Sequence, residues 1–438
     1  MFKTVRKAFT IKDIRDRLLF TFLMLVVIRI GTAIPLPGVD SSVISNWLSQ
    51  TAGDSFGFFD AITGGSFENM SVFALNITPY ITSSIIMQLL TIAIPKLEEM
   101  RKEGEDGRKK ITTITRYLTV VLALVQSIAI VVGFGRQGLL IEYNVFNAIA
   151  VIAAMVAGST VLMWIGERIG ERGIGNGISI VLTINIISRI PTDLTALWQQ
   201  FVIGKEIANQ VLNGAIIVVI ILAVIVLVIL LQGGIRRIPV QYSRKIQGRK
   251  QVGGSSTHIP LKVNTSGVIP IIFAQSLLSF PVIIAAMAGV GNGTGVGAKI
   301  LNFLNQANWC SRTEPIYTIG LVVYIVLVIA FAYFYTSITF NPLEIADNMK
   351  KQGGFIPGIR PGKPTSDYLT RILNYIVFIG AVGLVIIAVI PIFFSGFFGA
   401  SVSFGGTSLI IVVGVVIETW KQIESKMMER NYKGFLNQ

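Results

Sequence analysis

The sequence predicts an all-α polytopic membrane protein with ten transmembrane helices, and three observations carry that prediction. Of 438 residues, 52% are hydrophobic and only 14% are charged, which is too apolar for a soluble chain of this length. Ten apolar runs fall at about 18–34, 73–95, 113–134, 144–166, 176–190, 211–232, 265–290, 315–336, 368–393 and 406–425, each near the length that crosses a hydrocarbon core and each bounded by Gly/Pro-rich or charged loops. Roughly 30 of the 37 Lys and Arg lie in the two tails and the 2/3, 4/5, 6/7 and 8/9 loops, so that side, with both termini, is expected to be cytoplasmic.

The first span follows a cationic start, as a signal peptide does, but its apolar run is too long and Pro35-Leu36-Pro37-Gly38 replaces a small-residue cleavage site. It is expected to be retained. Arg29 sits near its outer end, where pairing or snorkelling suits it better than transport. An external segment, 35–72, contains Asp40, Asp54, Asp60 and Glu68 but no Lys or Arg. Its second half, 56–70 (FGFFDAITGGSFENM), is too short to span, yet carries Phe56, Phe58, Phe59, Ile62 and Phe67. An apolar patch on an external loop needs a hydrophobic seat, and Gly64-Gly65 supplies a joint, so a re-entrant segment is expected there, an ordinary loop being the alternative.

The second span, 73–95, is uncharged but unusually polar. At helical spacing Ile77, Ile81, Ser84, Gln88 and Thr91 share one stripe, and Pro79 is expected to bend the helix where its character changes. Lipid cannot satisfy such a face, although Ser, Thr and Gln also serve helix packing. Three further spans repeat the pattern of a branched aliphatic residue with polar residues above or below it on the same face. The fifth aligns Ser179, Leu182 and Asn185; the seventh, expected to be broken by Pro270 and Pro281, places Ile272 one turn from Gln275 and Ser276; the tenth aligns Thr407, Ile411, Gly414 and Glu418. Independent packing would not coincide four times, so a wet passage pinched by an aliphatic ring is the expectation. Spans six and eight, nearly uniform in Ile, Val and Leu, read as lipid-facing.

Of the cytoplasmic loops, 96–110 mixes six basic with five acidic residues and reads as a solvated turn. The 6/7 loop is different: Arg236, Arg237, Arg244, Lys245, Arg249, Lys250 and Lys262 occur without any acid. The 8/9 loop adds Lys350, Lys351, Arg360 and Lys363 around GGFIPGIRPGKP. Such density exceeds what topology requires and suits docking of an acidic protein surface or of nucleic-acid phosphates, a solvated loop being the plainer alternative.

Several function classes are excluded. One cysteine, Cys310, and one histidine, His258, cannot furnish a multi-His metal site or a nucleophile and base pair, so the chain is not expected to be an enzyme and no cofactor is implied. ERIGERGIGNG at 167–177 lacks Gly-Lys-Ser/Thr and follows a membrane span rather than a strand, so it is no phosphate cradle. A secondary transporter with repeats remains the runner-up, but the striped spans offer Asn, Gln, Ser and Thr and no buried acid pair.

RIGTAIPLPGVD, NITPYITSSIIMQLL, EGEDGRKKI, ERGIGNGISI, STHIPLKVNTSGVIPIIFAQSLL, FNPLEIADNMKKQGGFIPGIRPG and FGGTSLIIVV resemble, in this order and over essentially the whole chain, the SecY family of protein-export channel subunits. The resemblance implies two pseudo-symmetric five-helix halves, 1–190 and 211–438, joined by an external hinge loop at 191–210 around an hourglass channel. It implies a plug at about 56–70, cytoplasmic loops 233–264 and 337–367, and passage of unfolded secretory polypeptides with lateral release of hydrophobic segments into lipid. By motif position, the pore ring would be Ile77, Ile81, Leu182, Ile272 and Ile411, with Leu182 departing from an all-isoleucine ring and Ile178 its neighbour one turn away. The lateral gate would set Gln88 against Ser276 and Phe280, and Arg360 falls at the motor-contact arginine. Implied partners are the SecE and SecG subunits, the SecA motor ATPase, the ribosome and its rRNA phosphates, secretory preproteins with their signal sequences, and membrane lipid. The implied location is the bacterial plasma membrane.

Physical chemistry favours such a ring for this task. A channel for chains of every side-chain type cannot use charged selectivity, whereas flexible aliphatic groups yield to a passing peptide and otherwise dewet the constriction.

Overall fold

Among the described residues each of the ten hydrophobic stretches coincides with a helix, the helices falling along the chain into a first group up to residue 201 and a second from residue 207. The computed structural model describes residues 9–47, 63–201, 203, 207–242, 245–247, 250–252, 256–287, 296–310, 315–398 and 406–436. The first group is α1 (Lys12–Ala33), the short α2 (Ser41–Trp47), α3 (Thr78–Ala93), α4 (Pro95–Lys102), α5 (Glu105–Phe134), α6 (Val145–Arg172) and α7 (Gly177–Phe201). The second is α8 (Ile207–Gly233), α9 (Ile269–Met287), α10 (Val296–Leu304), α11 (Ile319–Thr339), α12 (Pro342–Lys351), α13 (Lys363–Phe398) and α14 (Gly406–Leu436). Among the described residues, six helices (α5, α6, α7, α8, α11 with α12, and α13) are long and apolar enough to cross a membrane, and α3 with α4 makes a seventh candidate bent by 101°. The other expected spans coincide with α1, α9 and α14.

Within the first group α3 packs on α5, α5 on α6, α6 on α7, and α1 on both α6 and α7. In the second, α9 packs on α11 and α11 on α13, while α8, α13 and α14 pack mutually. The groups meet where α7 touches α14 and α8, and where α5 touches α9. Small residues permit the closest approaches. On α6, a Cβ at Gly158 would collide with the carbonyl of Val72, and the neighbouring Ser159 Oγ donates to the Asn76 carbonyl at 2.9 Å. Gly158→Ala should therefore force backbone apart and cost about 1–3 kcal/mol, the usual range for overpacking. Thermal unfolding in detergent checks this, and an unchanged midpoint would contradict it.

Several boundaries differ from the sequence expectation. The second span does not begin at Phe73: residues 72–77 form turns, and Pro79 opens α3 rather than bending it, in keeping with proline's fit to a first helical turn. The bend falls instead at Ile94-Pro95. Neither proline breaks the seventh span, since Pro270 lies at the start of α9 and Pro281 inside a continuous helix. The external hinge expected at 191–210 is largely helical, because α7 runs through Pro191 to Phe201 and α8 begins at Ile207. Leu197 on that extension packs with Ile190, Ile217 and Ile221, and this apolar contact offsets the backbone hydrogen bond that Pro191 lacks. Span eight is not simply lipid-facing: Leu321, Tyr324, Val328, Ala332 and Thr336 form a buried stripe towards α9 and α13. Span six does face outwards, with Val218, Val219, Leu222, Val226 and Leu230 exposed.

The 6/7 loop holds a feature the helical reading missed. Strands β1 (Ile235–Tyr242) and β4 (Ser256–Lys262) pair antiparallel from Ile235 with Lys262 to Gln241 with Ser256, and β2 (Lys245–Gln247) pairs with β3 (Lys250–Val252) beyond them. From the 8/9 loop, β5 (Gly354–Phe355) adds to the other edge of β1. Period-two alternation buries Ile238, Val240 and Leu261 against Met349, Ile356, Leu369 and Ile372. The two basic loops are thereby fused into one platform on α13.

Candidate functional site

The polar turn before α3 sets the geometry of the expected constriction. Asn76 is fully buried with φ 51°, and its Oδ1 accepts from the Ile77 N–H at 2.7 Å. Asparagine tolerates this left-handed backbone, and the bond closes the turn that starts the helix. Ile77 is thus aimed inwards from a helix start. It packs in one buried cluster with Ile28, Phe73, Leu162, Ile165, Ile180, Leu182, Ile186 and Ile411, against which Ile81 and Val268 are also packed. The structure therefore brings together Ile77, Ile81, Leu182 and Ile411, from α3, α7 and α14. The remaining expected ring residue, Ile272, is half-buried outside that cluster, and Val268, just ahead of α9, contributes instead. Sequence reasoning missed Ile186, one turn beyond Leu182 on α7 and 1% exposed. Its signal was the same i, i+4 spacing that directed attention to Ile178, which packs at the edge of the same cluster.

Of the expected plug, Phe56, Phe58, Phe59 and Ile62 lie outside the described residues. Gly64 and Gly65 adopt φ of 65° and 79°, in the left-handed region where glycine is unstrained. Phe67 is 4% exposed and packs with Leu36, Ile44, Met70 and Leu75. The segment leans on α7: an added Cβ on Gly64 would lie 2.9 Å from the Asn185 backbone, and Glu68 Oε2 pairs with Arg189 Nη1 at 2.9 Å. Asn185 and Ser408 are fully buried, and their side-chain polar atoms have no hydrogen-bond partner among the described residues.

Towards the 2/3 loop the striped face of α3 opens into a cavity of about 440 Å³. Ser84, Gln88 and Thr91 line it, facing Arg108 and Thr115 of α5 and Tyr335 of α11. Gln88 Nε2 donates to Ser84 Oγ on its own helix at 3.5 Å. Ser276 is exposed, whereas the adjacent Gln275 is buried and donates to Gln306 at 2.9 Å. Phe280 lies within α9, and its side chain falls outside the described set. A second cavity of about 450 Å³, lined by Glu167, Asn176, Ile178, Glu418 and Gln422, adjoins the glycine-rich 4/5 turn. There the Gly175 N–H, at φ 89°, donates to Gln422 Oε1. Asn176 Oδ1 accepts from the Ile178 and Ser179 N–H groups, capping α7. The glycines serve close packing between α6, α7 and α14.

On the platform, Arg236, Arg237, Lys262, Lys350, Lys351 and Arg360 are exposed. Lys245 and Lys250 lie on β2 and β3, and Arg244 and Arg249 lie outside the described residues. Among the described residues no group of three or more His, Cys, Asp or Glu could hold a metal ion.

Comparison with known proteins gives this geometry a lineage. The family model for SecY matches residues 71–420. Protein translocase subunit SecY of Streptomyces galbus is 44% identical over 450 residues, and that of Bacillus subtilis is 42% identical over 444, in both cases covering all of both chains. Among solved structures, one described as "The structure of a protein conducting channel" superposes with a TM-score of 0.62 at 19% identity, covering 94% of this chain and 92% of that one. Another, "Sec61 in the Canine ribosome-channel complex from the endoplasmic reticulum", gives 0.61 at 18% identity with the same coverage. The fold is therefore that of these channels, and the full-length likeness of sequence establishes that this chain belongs to the SecY family.

Proposed function

We propose that this chain forms a protein-conducting channel that passes unfolded secretory polypeptides across the membrane and releases hydrophobic segments sideways into lipid. The observation that carries the reading is the aliphatic cluster in which Ile77, Ile81, Leu182 and Ile411 converge from separate elements, with cavities lined in part by polar side chains beside the 2/3 and 4/5 loops. We assign the pore ring to Ile77, Ile81, Leu182, Ile272 and Ile411, with 56–70 as a plug beneath it from the external side. Half-buried Ile272 would complete the ring when α9 moves. Gln88, Ser276 and Phe280 are assigned to a lateral gate between α3 and α9. An apolar signal segment there gains about 0.8 kcal/mol for each CH2 it moves into hydrocarbon.

The basic platform is assigned to the SecA motor and to rRNA phosphates of a ribosome, and SecE and SecG to the lipid-facing flanks. In this reading the membrane is the bacterial plasma membrane, with both termini cytoplasmic, which the excess of Lys and Arg in the tails and basic loops supports. The chain acts as a channel rather than as an enzyme, with energy supplied by the motor, the ribosome or an ion gradient. The transporter alternative is not favoured, because the striped spans offer Asn, Gln, Ser and Thr but no buried acid pair for a coupled solute site among the described residues.

Photo-crosslinkers placed at Ile81, Ile272 and the lipid-facing Leu222 test the reading with an arrested secretory chain. Crosslinks at Ile81 and Ile272 but not at Leu222 are expected. Equal labelling at all three, or solute uptake without any chain crosslink, would overturn it.

A further inference from the structure

The outer half of α7 bears a charged seat for residues 63–70, which lie between α2 and α3. Residues 63–70 fold on themselves: Ser66 Oγ donates to the Thr63 carbonyl at 2.6 Å, the Asn69 N–H to Gly65 at 3.1 Å, and the Met70 N–H to Phe67 at 3.0 Å. This compact turn meets α7 at two successive levels. Gly64 lies against the backbone of Asn185, and Gly65 beside the guanidinium of Arg189, four residues further on. At the upper level Glu68 Oε2 pairs with Arg189 Nη1 at 2.9 Å, while Glu68 Oε1 accepts from Ser45 Oγ of α2 at 3.4 Å. Leu182 lies about one turn below Asn185 on the same stripe of α7. Constriction, glycine seat and ion pair are therefore stacked along one helix face.

We propose that Arg189 is a positioning residue whose pairing with Glu68 holds the 63–70 turn over the constriction and so sets the balance between sealed and open channel. The inference rests on the ring and plug assigned above. Both charges are partly shielded, with side chains 20% and 32% exposed, so the pair is stronger than a fully solvated one. Breaking it strands neither charge completely, because both side chains keep part of their surface exposed. A latch of this kind can release without a large barrier. Asn185 adds a rigid floor: at Gly64 a side chain would meet α7 backbone, so the turn can approach closely only as glycine.

Planar-bilayer currents through the complete resting complex test the proposal. Glu68→Gln and Arg189→Gln should each raise the resting open fraction about fivefold, the scale of one partly shielded ion pair. The double variant should leak no more than either single one, and the swap Glu68→Arg/Arg189→Glu should return to within about twofold of the parent. Singles that stay as tight as the parent, a double variant whose leak is additive, or a swap that leaks like the singles would each overturn the latch. Ile81→Asn on the same membrane separates the two levels: its leak beside silent latch variants sinks the latch alone, whereas its silence sinks the ring on which the latch depends.

A crosslink keeps the proposal open to failure where a charge variant does not accumulate. In a Cys310→Ser background, Glu68→Cys/Arg189→Cys bridged by a short cleavable dithiol reagent should block export, and cleavage should restore it. A formed bridge that leaves export unchanged overturns the proposal, since the turn would then have no need to leave its seat.

Discussion

Replacing Ile81 by Asn should raise the resting ion conductance of the purified complex at least about tenfold, while Ile81→Val leaves it near the parent value. In the ring reading, the side chains of Ile77, Ile81, Leu182 and Ile411 exclude water because none of these aliphatic groups can hold a hydrogen bond. A constriction that seals by dewetting is defeated by one group that stabilises water inside it, since burying an amide without partners is costly and recruits solvent. Size matters less. Ile→Val removes one methylene at about 0.5–1.5 kcal/mol of packing and adds no polarity. Ile77→Asn should cost more stability than Ile81→Asn, because Ile77 is fully buried whereas Ile81 is only partly so. The same polar variants should accept weaker signal sequences, because the sealed state loses apolar contacts that the open state does not use. Val219→Asn, on the exposed face of α8, is the control and should alter insertion or stability without conductance. Ile221 would not serve, since it packs with Leu197. Equal leak from ring and lipid-facing variants, or none from any ring variant, would remove the ring.

Much of this arrangement is legible in the residues. Spacing alone put Ile77, Ile81, Leu182 and Ile411 on stripes that converge in space, because helical period translates directly into facing. The limits have physical causes. The sequence predicts a bend of the span at Pro79, but proline also suits a first helical turn, and the turn closed by Asn76 and the Ile77 N–H makes it a helix start. The sequence predicts that the fifth span ends at 190, yet the helix runs through Pro191 with Leu197 packed on Ile190, Ile217 and Ile221. The β1–β4 hairpin was hidden because a search for spans weighs the arginines of IRRIPVQY as loop charge, whereas alternate burial of Ile238 and Val240 is the strand's signature. The Glu68 and Arg189 pair was beyond reach, since two charges 121 positions apart carry no local period.

That hairpin also governs what happens when the charge of the basic platform is reversed. Converting Arg236, Arg237, Lys350, Lys351 and Arg360 together to Glu should weaken ribosome and motor binding by about a hundredfold or more at physiological salt. The effect should be collective, because β5 of the 8/9 loop is paired to β1 of the 6/7 loop and both rest on α13 through Ile238, Val240, Ile356 and Leu369. Charges on two separate flexible loops would act one at a time; on one platform they meet the partner together. Arg360 should weigh most as a single change. It is exposed while its own carbonyl accepts from Thr365 Oγ at 2.8 Å, so its backbone is anchored and its charge is presented at little entropic cost. Folding should be unaffected, since none of the five side chains lies in the buried face of the sheet. The partner's chemistry shows in the salt dependence: neutralising five phosphate contacts should flatten the slope of log K against log salt by about 4, the scale expected for nucleic acid, and a protein surface should give less. Reversal of Lys109, equally exposed but off the platform, should change neither affinity nor slope. Affinity unchanged by the five-fold reversal at 0.15 M salt, where screening acts over about 8 Å, would show that the platform is a solvated surface and nothing more.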